Sequence, residues 1–330
     1  MATPAAADEP LKPYIVFILD VSGSMGGATG YGPPSCPGTI DTRLDHAKCA
    51  IANIQNSYGD MVMALGRFRT ASTDTTCGNG CAALPQNQGG AIDCSNCLEN
   101  PNATTCTGEM SNGNRFELLV PLEADRELDV LRYNDFTCTG CSTTTANPEI
   151  FEAGYTPIAG SLVGAKRYWQ GLASPTLGAY WPTAPGNDPI RNDPLKNMFV
   201  SGEQCRPYIV ISLTDGDETC SASPTANVVA ATTALLSTTV DARTYRIETR
   251  PIGFGKPAGD AQIEAIAHAG GTIGDGDGGA NEGLYANNEE ELSLAIAQIL
   301  ADVLKFESCN DVDDDCDFPL VDEDFPDKGQ

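Results

Sequence analysis

Apolar and polar positions fall into blocks along this chain. Residues 14–19 (YIVFIL) form an unbroken apolar, β-branched-rich run ending in Asp20, the pattern of a strand buried on both faces. Leu44, Ala47, Ile51 and Ile54 then recur at helical spacing within 43–58, and 61–68 (MVMALGRF) reads as a second strand. A strand over 115–122 and a short helix over 123–133 follow. A helix over 157–171 places Ile158, Leu162, Ala165 and Trp169 on one face, with Pro157 in its first turn. Residues 208–213 (YIVISL) make another wholly apolar strand, which runs into Thr214, Asp215 and Gly216. Beyond it the pattern predicts a helix over 225–240, a strand over 243–253, a helix over 261–269, a short strand over 283–286 and a helix over 289–305. Strands alternating with helices predict an α/β fold, a doubly wound and mostly parallel sheet with helices on both faces.

Two stretches break the alternation. Residues 70–114 are rich in Thr, Asn, Gly and Cys and poor in large apolar side chains, and 173–204 carry Pro, Gly, Asn and aromatics. Both are too long for plain loops of a compact domain and read as insertions, the first of them stapled by cystines. The layout is then an N-terminal tail (1–11), one α/β domain (12–305) with these two insertions, and an acidic Cys/Asp-rich tail (306–330).

Composition narrows the partners. A net charge of -26, from 45 acidic against 19 basic residues, disfavours nucleic acid and anionic membrane surfaces and suits carboxylate binding of hard cations. No apolar run reaches the roughly 18 residues of a membrane span. Thirteen cysteines, many in polar loops, point to an oxidising compartment. The acidic first ten residues lack signal-peptide character, so the expectation is an extracellular or cell-surface protein whose export signal has been removed. The odd cysteine count leaves a thiol unpaired or bonded outside these residues, as in a fragment of a larger protein.

Ligand sites in such folds lie beyond the carboxyl ends of the strands, where strand order reverses. Three features converge there. The first strand leads into Asp20, Ser22 and Ser24, alternate residues that an extended segment aims the same way, with Gly23 between them for a tight turn. Thr156 directly precedes the proline-started helix, and Asp215 ends the second apolar strand. Two carboxylates and three hydroxyls form an oxygen-only shell suited to a hard cation, Mg2+ above all, with Mn2+ and Ca2+ also compatible. The bland alternative, a common DxSxS pattern in which Asp20 merely caps a helix, accounts for one of the three features but not for all in order.

Asp20-Val21-Ser22-Gly23-Ser24, Thr156-Pro157-Ile158-Ala159-Gly160 and Leu213-Thr214-Asp215-Gly216 resemble the three parts of the metal-ion-dependent adhesion site of von Willebrand factor A domains, in the family's order. The resemblance spans about residues 12–305. It implies that Ser22, Ser24 and Thr156 bind the ion directly, that Asp20 and Asp215 act mostly through water, and that a carboxylate of a protein or other acidic ligand completes the shell. It also implies adhesion or complex assembly rather than enzymatic catalysis. The A domains of PilY-type pilus-tip adhesins are similar in combining an intact site with Cys-rich excursions, which implies a place in a larger surface or pilus-tip assembly.

In the tail, Asp311, Asp313, Asp315, Asp317 and Asp322, with Glu323 beside the last, follow the spacing of an EF-hand-like loop and predict a weak Ca2+ site. Cys316 replaces the usual glycine there, and Cys309 with Cys316 closes a candidate local ring. The segment resembles the Cys/Asp-rich repeat of MopE-type surface proteins, with departures at Asp311 and at Phe318-Pro319; a solvated acidic linker is the alternative. A second functional class follows, a surface metal-binding or Ca2+-sensing protein that works through this tail with the α/β domain as scaffold.

The spacing of Cys77, Cys81, Cys94 and Cys97 mimics a zinc ribbon, but with Cys36, Cys106, Cys138 and Cys141 in similar loops disulfides are the simpler account. Cys220 is expected to staple a loop near the cation face, with Cys36 as candidate partner. His46 and His268 lack a neighbouring nucleophile motif and read as structural. Trp169 belongs to the core, Trp181 to the core or a recognition surface, and the Gly-Asp run over 274–279 to a loop.

Overall fold

The computed structural model describes residues 12–57, 61–68, 115–122, 127–136, 150, 152, 154–172, 195, 207–240, 242–272 and 282–303. In chain order these form β1 (Tyr14–Leu19), α1 (Arg43–Ser57), β2 (Val62–Phe68), β3 (Phe116–Val120), α2 (Glu127–Leu131), α3 (Ile158–Trp169), β4 (Tyr208–Thr214), α4 (Pro224–Leu236), β5 (Thr238–Val240), β6 (Arg243–Tyr245), β7 (Ile247–Phe254), α5 (Ala261–Ala269), β8 (Leu284–Ala286) and α6 (Glu289–Val303).

The main sheet runs β3-β2-β1-β4-β7-β8. All neighbours pair in parallel except the edge strand β3, which is antiparallel to β2. The two most apolar runs of the sequence are the two central strands, and every residue of β1 and β4 is buried. Helices cover both faces: α1 packs with α6 and α2, while α4 packs between α3 and α5. Ile15 and Phe17 of β1 and Ile211 of β4 share a seam with Ile51 and Ile54 of α1 and Ile296 of α6. On the other face Tyr208 packs edge-on against Tyr14, Trp169 and Tyr245. Such pairs add about 0.5–1.5 kcal/mol beyond area burial, and the fully buried Trp169 meets its core expectation. The fold is thus a doubly wound, mostly parallel α/β sheet with helices on both faces.

Three expectations change in detail. The helix expected over 225–240 ends at Leu236, because β-branched Thr238, Thr239 and Val240 pair with β6 as a hairpin turned through Ala242 at φ 64. The strand expected over 243–253 is therefore two strands, with only β7 in the main sheet. The antiparallel setting of β3 accompanies a register shift at Leu65/Gly66, where Phe116 lies over Gly66 so closely that an added Cβ would stand 2.2 Å from its ring.

Cys36 is disulfide-bonded to Cys49 of α1, which corrects the pairing of Cys36 with Cys220. Pattern reading gave Cys49 only a helix position, and nothing in the linear order marks it as facing the loop. Cys220 is disulfide-bonded as well. Most of both insertions, Trp181, the Gly-Asp run and the whole acidic tail, with Asp311, Asp313, Asp315, Asp317, Asp322 and Glu323, lie outside the described residues. Leu195 of the second insertion is described: it is buried, and its carbonyl accepts from Tyr245 Oη at 3.2 Å. Among the described residues no helix is long and apolar enough to cross a membrane.

Candidate metal centre

The register of β1 and β4 builds the site. Leu19 pairs with Leu213, so the next residues, Asp20 and Thr214, leave the two central strands side by side. Thr214 Oγ1 donates to Asp20 Oδ2 at 2.6 Å, Asp215 N approaches the same oxygen at 3.4 Å, and Ser22 N donates to Oδ1 at 2.7 Å. Both oxygens of this fully buried carboxylate are therefore held by protein donors. Burial pushes the Asp20 pKa up to about 6; the negative charge of Asp215 adds to the rise, and the hydrogen bonds from Ser22 and Thr214 oppose it.

Beyond Ser22 the chain does not stay extended. A 3-10 turn over Gly23–Gly26, anchored by buried Met25, folds Ser24 back, and its Oγ lies 3.0 Å from Ser22 Oγ. The two serines converge through this turn rather than through strand alternation. Gly23 has an ordinary φ, and a Cβ there would meet Gly154 O only at 3.8 Å. Its N–H donates to Gly154 O at 3.2 Å, which ties the first loop to the segment carrying Thr156.

Ser24 Oγ donates to Asp215 Oδ1 at 2.6 Å. Its single proton is thereby used, so Ser22 is the donor to Ser24, and a relay runs from Ser22 through Ser24 to Asp215. Both hydroxyls keep lone pairs for a cation. Thr156 is held by reciprocal bonds with Thr219, whose Oγ1 accepts from Thr156 N and whose N donates to Thr156 O, each at 3.1 Å. Gly216 admits its side chain: a Cβ at 216 would stand 3.2 Å from Thr156 Oγ1. Glu218 fixes the start of α3 from across the site, accepting from Ala159 N at 2.7 Å and Cys220 N at 2.6 Å.

The structure thus brings all five expected residues, Asp20, Ser22, Ser24, Thr156 and Asp215, to the carboxyl edge of the central strands. Sequence reasoning missed Thr214, Glu218 and Thr219, which secure them, and Arg43, whose Nη1 lies 2.6 Å from Asp215 Oδ2. The available signal for Arg43 was a cation in the first turn of a helix, where the macrodipole disfavours positive charge. Lys256, after β7, bridges Asp217 Oδ1 at 2.5 Å and Asp260 Oδ2 at 2.9 Å along the rim.

The donor set fits a hard divalent cation. Two carboxylates buried together with one guanidinium leave a net negative pocket, and every other candidate ligand is a hydroxyl oxygen. Among the described residues no group of three or more His, Cys, Asp or Glu side chains is placed to hold a metal, so a cation here relies on the mixed carboxylate and hydroxyl set. The histidines are structural, as expected. His46 Nδ1 accepts from Glu289 N at 3.0 Å, and Nε2 lies 2.9 Å from Gly32 O; His268 Nδ1 lies 3.2 Å from Glu282.

No family model matches the chain, and no curated protein matches it in sequence. Solved structures match it at low identity. Proximal thread matrix protein 1 from the mussel byssus matches with TM-score 0.42 and 13% identity over 90% of this chain and 49% of that one. The SpRpn10 VWA domain matches with TM-score 0.39 and 8% identity, over 87% and 95% of the two chains. The pilus adhesin SpaC from Lactobacillus rhamnosus GG matches with TM-score 0.43 and 11% identity, over 90% and 31%. The chain thus spans about half the length of the mussel protein. Scores and identities at this level carry no argument about function, which rests on the geometry of the chain itself.

Proposed function

We propose that this chain is a cation-dependent binding and adhesion module of a secreted or surface-displayed bacterial protein. A divalent ion, Mg2+ in the first instance, is held at the sheet's carboxyl edge by Ser22, Ser24 and Thr156, with Asp20 and Asp215 acting from behind. When bound, the ion supplies a Lewis-acidic position for a carboxylate of a protein partner or other acidic ligand. The observation that carries this reading is the Ser22–Ser24–Asp215 relay, which turns the serine protons inward and leaves their lone pairs for a cation. Each oxygen of Asp20 is held by one protein donor and keeps a lone pair that can accept from an ion-bound water, which supports its acting through water.

A binding role rather than an enzymatic one is supported by the histidines, both engaged in structural contacts away from the five oxygen ligands. An oxidising, extracellular location is supported by the Cys36–Cys49 disulfide and by the bonded state of Cys220.

Calorimetric titration of Mg2+ and Mn2+ into wild type, Asp20→Ala and Thr156→Ala tests the proposal. One binding event in wild type, weakened at least about tenfold in both variants, is the expected result. Variants that bind like wild type would remove the adhesion-site reading and leave the fold as a scaffold for a function carried elsewhere.

A further inference from the structure

We infer that Arg43 sets the charge of the cation site and selects its ligand: it is a tethered positive charge that restrains Asp215 and offers the second contact to an anionic ligand. The inference rests on the cation-site reading above and adds a residue and a ligand chemistry to it.

Local structure puts Arg43 there. Thr42 Oγ1 accepts from Asp45 N at 3.1 Å, and the Asp45 carboxylate accepts from Ile40 N at 2.7 Å, a capping arrangement that begins α1 at Arg43. Arg43 N donates to Gly27 O at 3.0 Å, so the residue closes the base of the 28–42 loop. A cation in this first turn opposes the helix dipole, and nothing in the helix accounts for it. Asp215 does. The guanidinium sits between two glycines: a Cβ on Gly255, itself at φ +68, would come within 3.4 Å of Nε, and one on Gly27 within 3.9 Å of Cζ. Backbone thus lies within van der Waals reach of the guanidinium on both sides.

The pair is asymmetric. The Asp215 side chain is wholly covered, while that of Arg43 keeps 30% of its surface exposed, so the guanidinium is the outward face. Ser24 holds one oxygen of Asp215 and Arg43 the other. An ion in direct contact with Asp215 would share the carboxylate's charge with the guanidinium already bonded to it, which favours a supporting position for Asp215. Arg43 uses one of its five N–H groups on Asp215, and no other acceptor among the described residues takes the rest.

The charges then define the ligand. Asp20 and Asp215 carry two negative charges and Arg43 one positive, so a divalent ion leaves the centre at +1. A single carboxylate neutralises it, and a planar carboxylate that bridges the ion and the fork of Arg43 meets both at once.

This predicts effects of opposite sign, which a merely structural role would not produce. Mn2+ affinity is measured by calorimetry for wild type, Arg43→Lys, Arg43→Gln and Arg43→Met; acetate is then titrated into the Mn2+-loaded proteins while water-proton relaxation reports displacement of ion-bound water. The neutral variants are expected to bind Mn2+ about tenfold tighter, because a like charge is removed, and to need about tenfold more acetate. Arg43→Lys, which keeps the charge but not the fork, should stay near wild type in Mn2+ affinity and need an acetate concentration between those of wild type and the neutral variants. Looser Mn2+ binding, or unchanged acetate response, in the neutral variants would overturn the role of Arg43 while leaving the cation site standing. Absence of Mn2+ binding in wild type would remove both. Two neutral replacements of different shape keep the test decisive should one fail to fold.

Discussion

Asp20 concentrates the electrostatics of the site in one side chain. Its folded pKa of about 6 stands above the ordinary aspartate value of 3.8, so the folded protein holds this proton more tightly than the unfolded chain does. The sign follows: the contribution of Asp20 to stability is fully present below about pH 4 and is lost as pH rises through 6. On the proposed reading an ion nearby, reached through water, favours the ionised form of this carboxylate. Mg2+ affinity is therefore expected to rise by up to about tenfold per pH unit up to pH 6 and to level off above it, measurable by calorimetry at several pH values. A flat profile between pH 5 and 7 would separate Asp20 from ion binding. The five candidate oxygen ligands were legible in the sequence because each sits in a short motif at the end of a strongly patterned element. Thr214, Thr219 and Glu218 were not. Their bonds to Asp20, Thr156 and Ala159 cross 194, 63 and 59 positions and depend on which strands lie side by side.

At the scale of elements, β1, β4 and α5 stood out in the sequence for different reasons. Two are the chain's most apolar runs, and α5 shows as a short helical stretch whose cap the structure supplies, Asp260 accepting from Gln262 N and Ile263 N. What escaped was decided by pairing: the antiparallel β3 and the β5–β6 hairpin satisfy backbone groups that local propensity cannot assign. The 28–42 loop is fastened in several distinct ways. Asp41 accepts from Thr29 and Gly30, Ser35 bonds Glu289 of α6, and Cys36 is bonded to Cys49. Replacing both cysteines, as Cys36→Ser with Cys49→Ser, is expected to cost about 2–4 kcal/mol in chemical denaturation. Mg2+ affinity should change less than about threefold, because Thr42, Asp45 and the Arg43–Gly27 bond fix the loop's base independently. A collapse of ion binding in that double variant would show that the disulfide, rather than the cap, positions the site.

At the scale of the whole molecule, a chain of net charge -26 gathers small cations from solution and repels acidic partners. The centre at the sheet edge locally reverses that bias once it is filled. The feature with the widest reach is the separation of its two carboxylates. Asp20 and Asp215 lie 195 positions apart and meet only because β1 and β4 pair. An unfolded chain cannot assemble this set of oxygens, so the free energy of ion binding is added to that of folding. At an ion concentration about a hundredfold above the dissociation constant the gain is about 2.7 kcal/mol, and the melting temperature should climb with the logarithm of Mg2+ concentration and fall back on chelation. Calorimetric melts across a Mg2+ series measure it directly. The same linkage makes the ambient level of divalent ion a gauge of how long the folded module persists: where the ion is scarce, the chain opens and is cleared by proteolysis more often, so durability follows the same resource as binding.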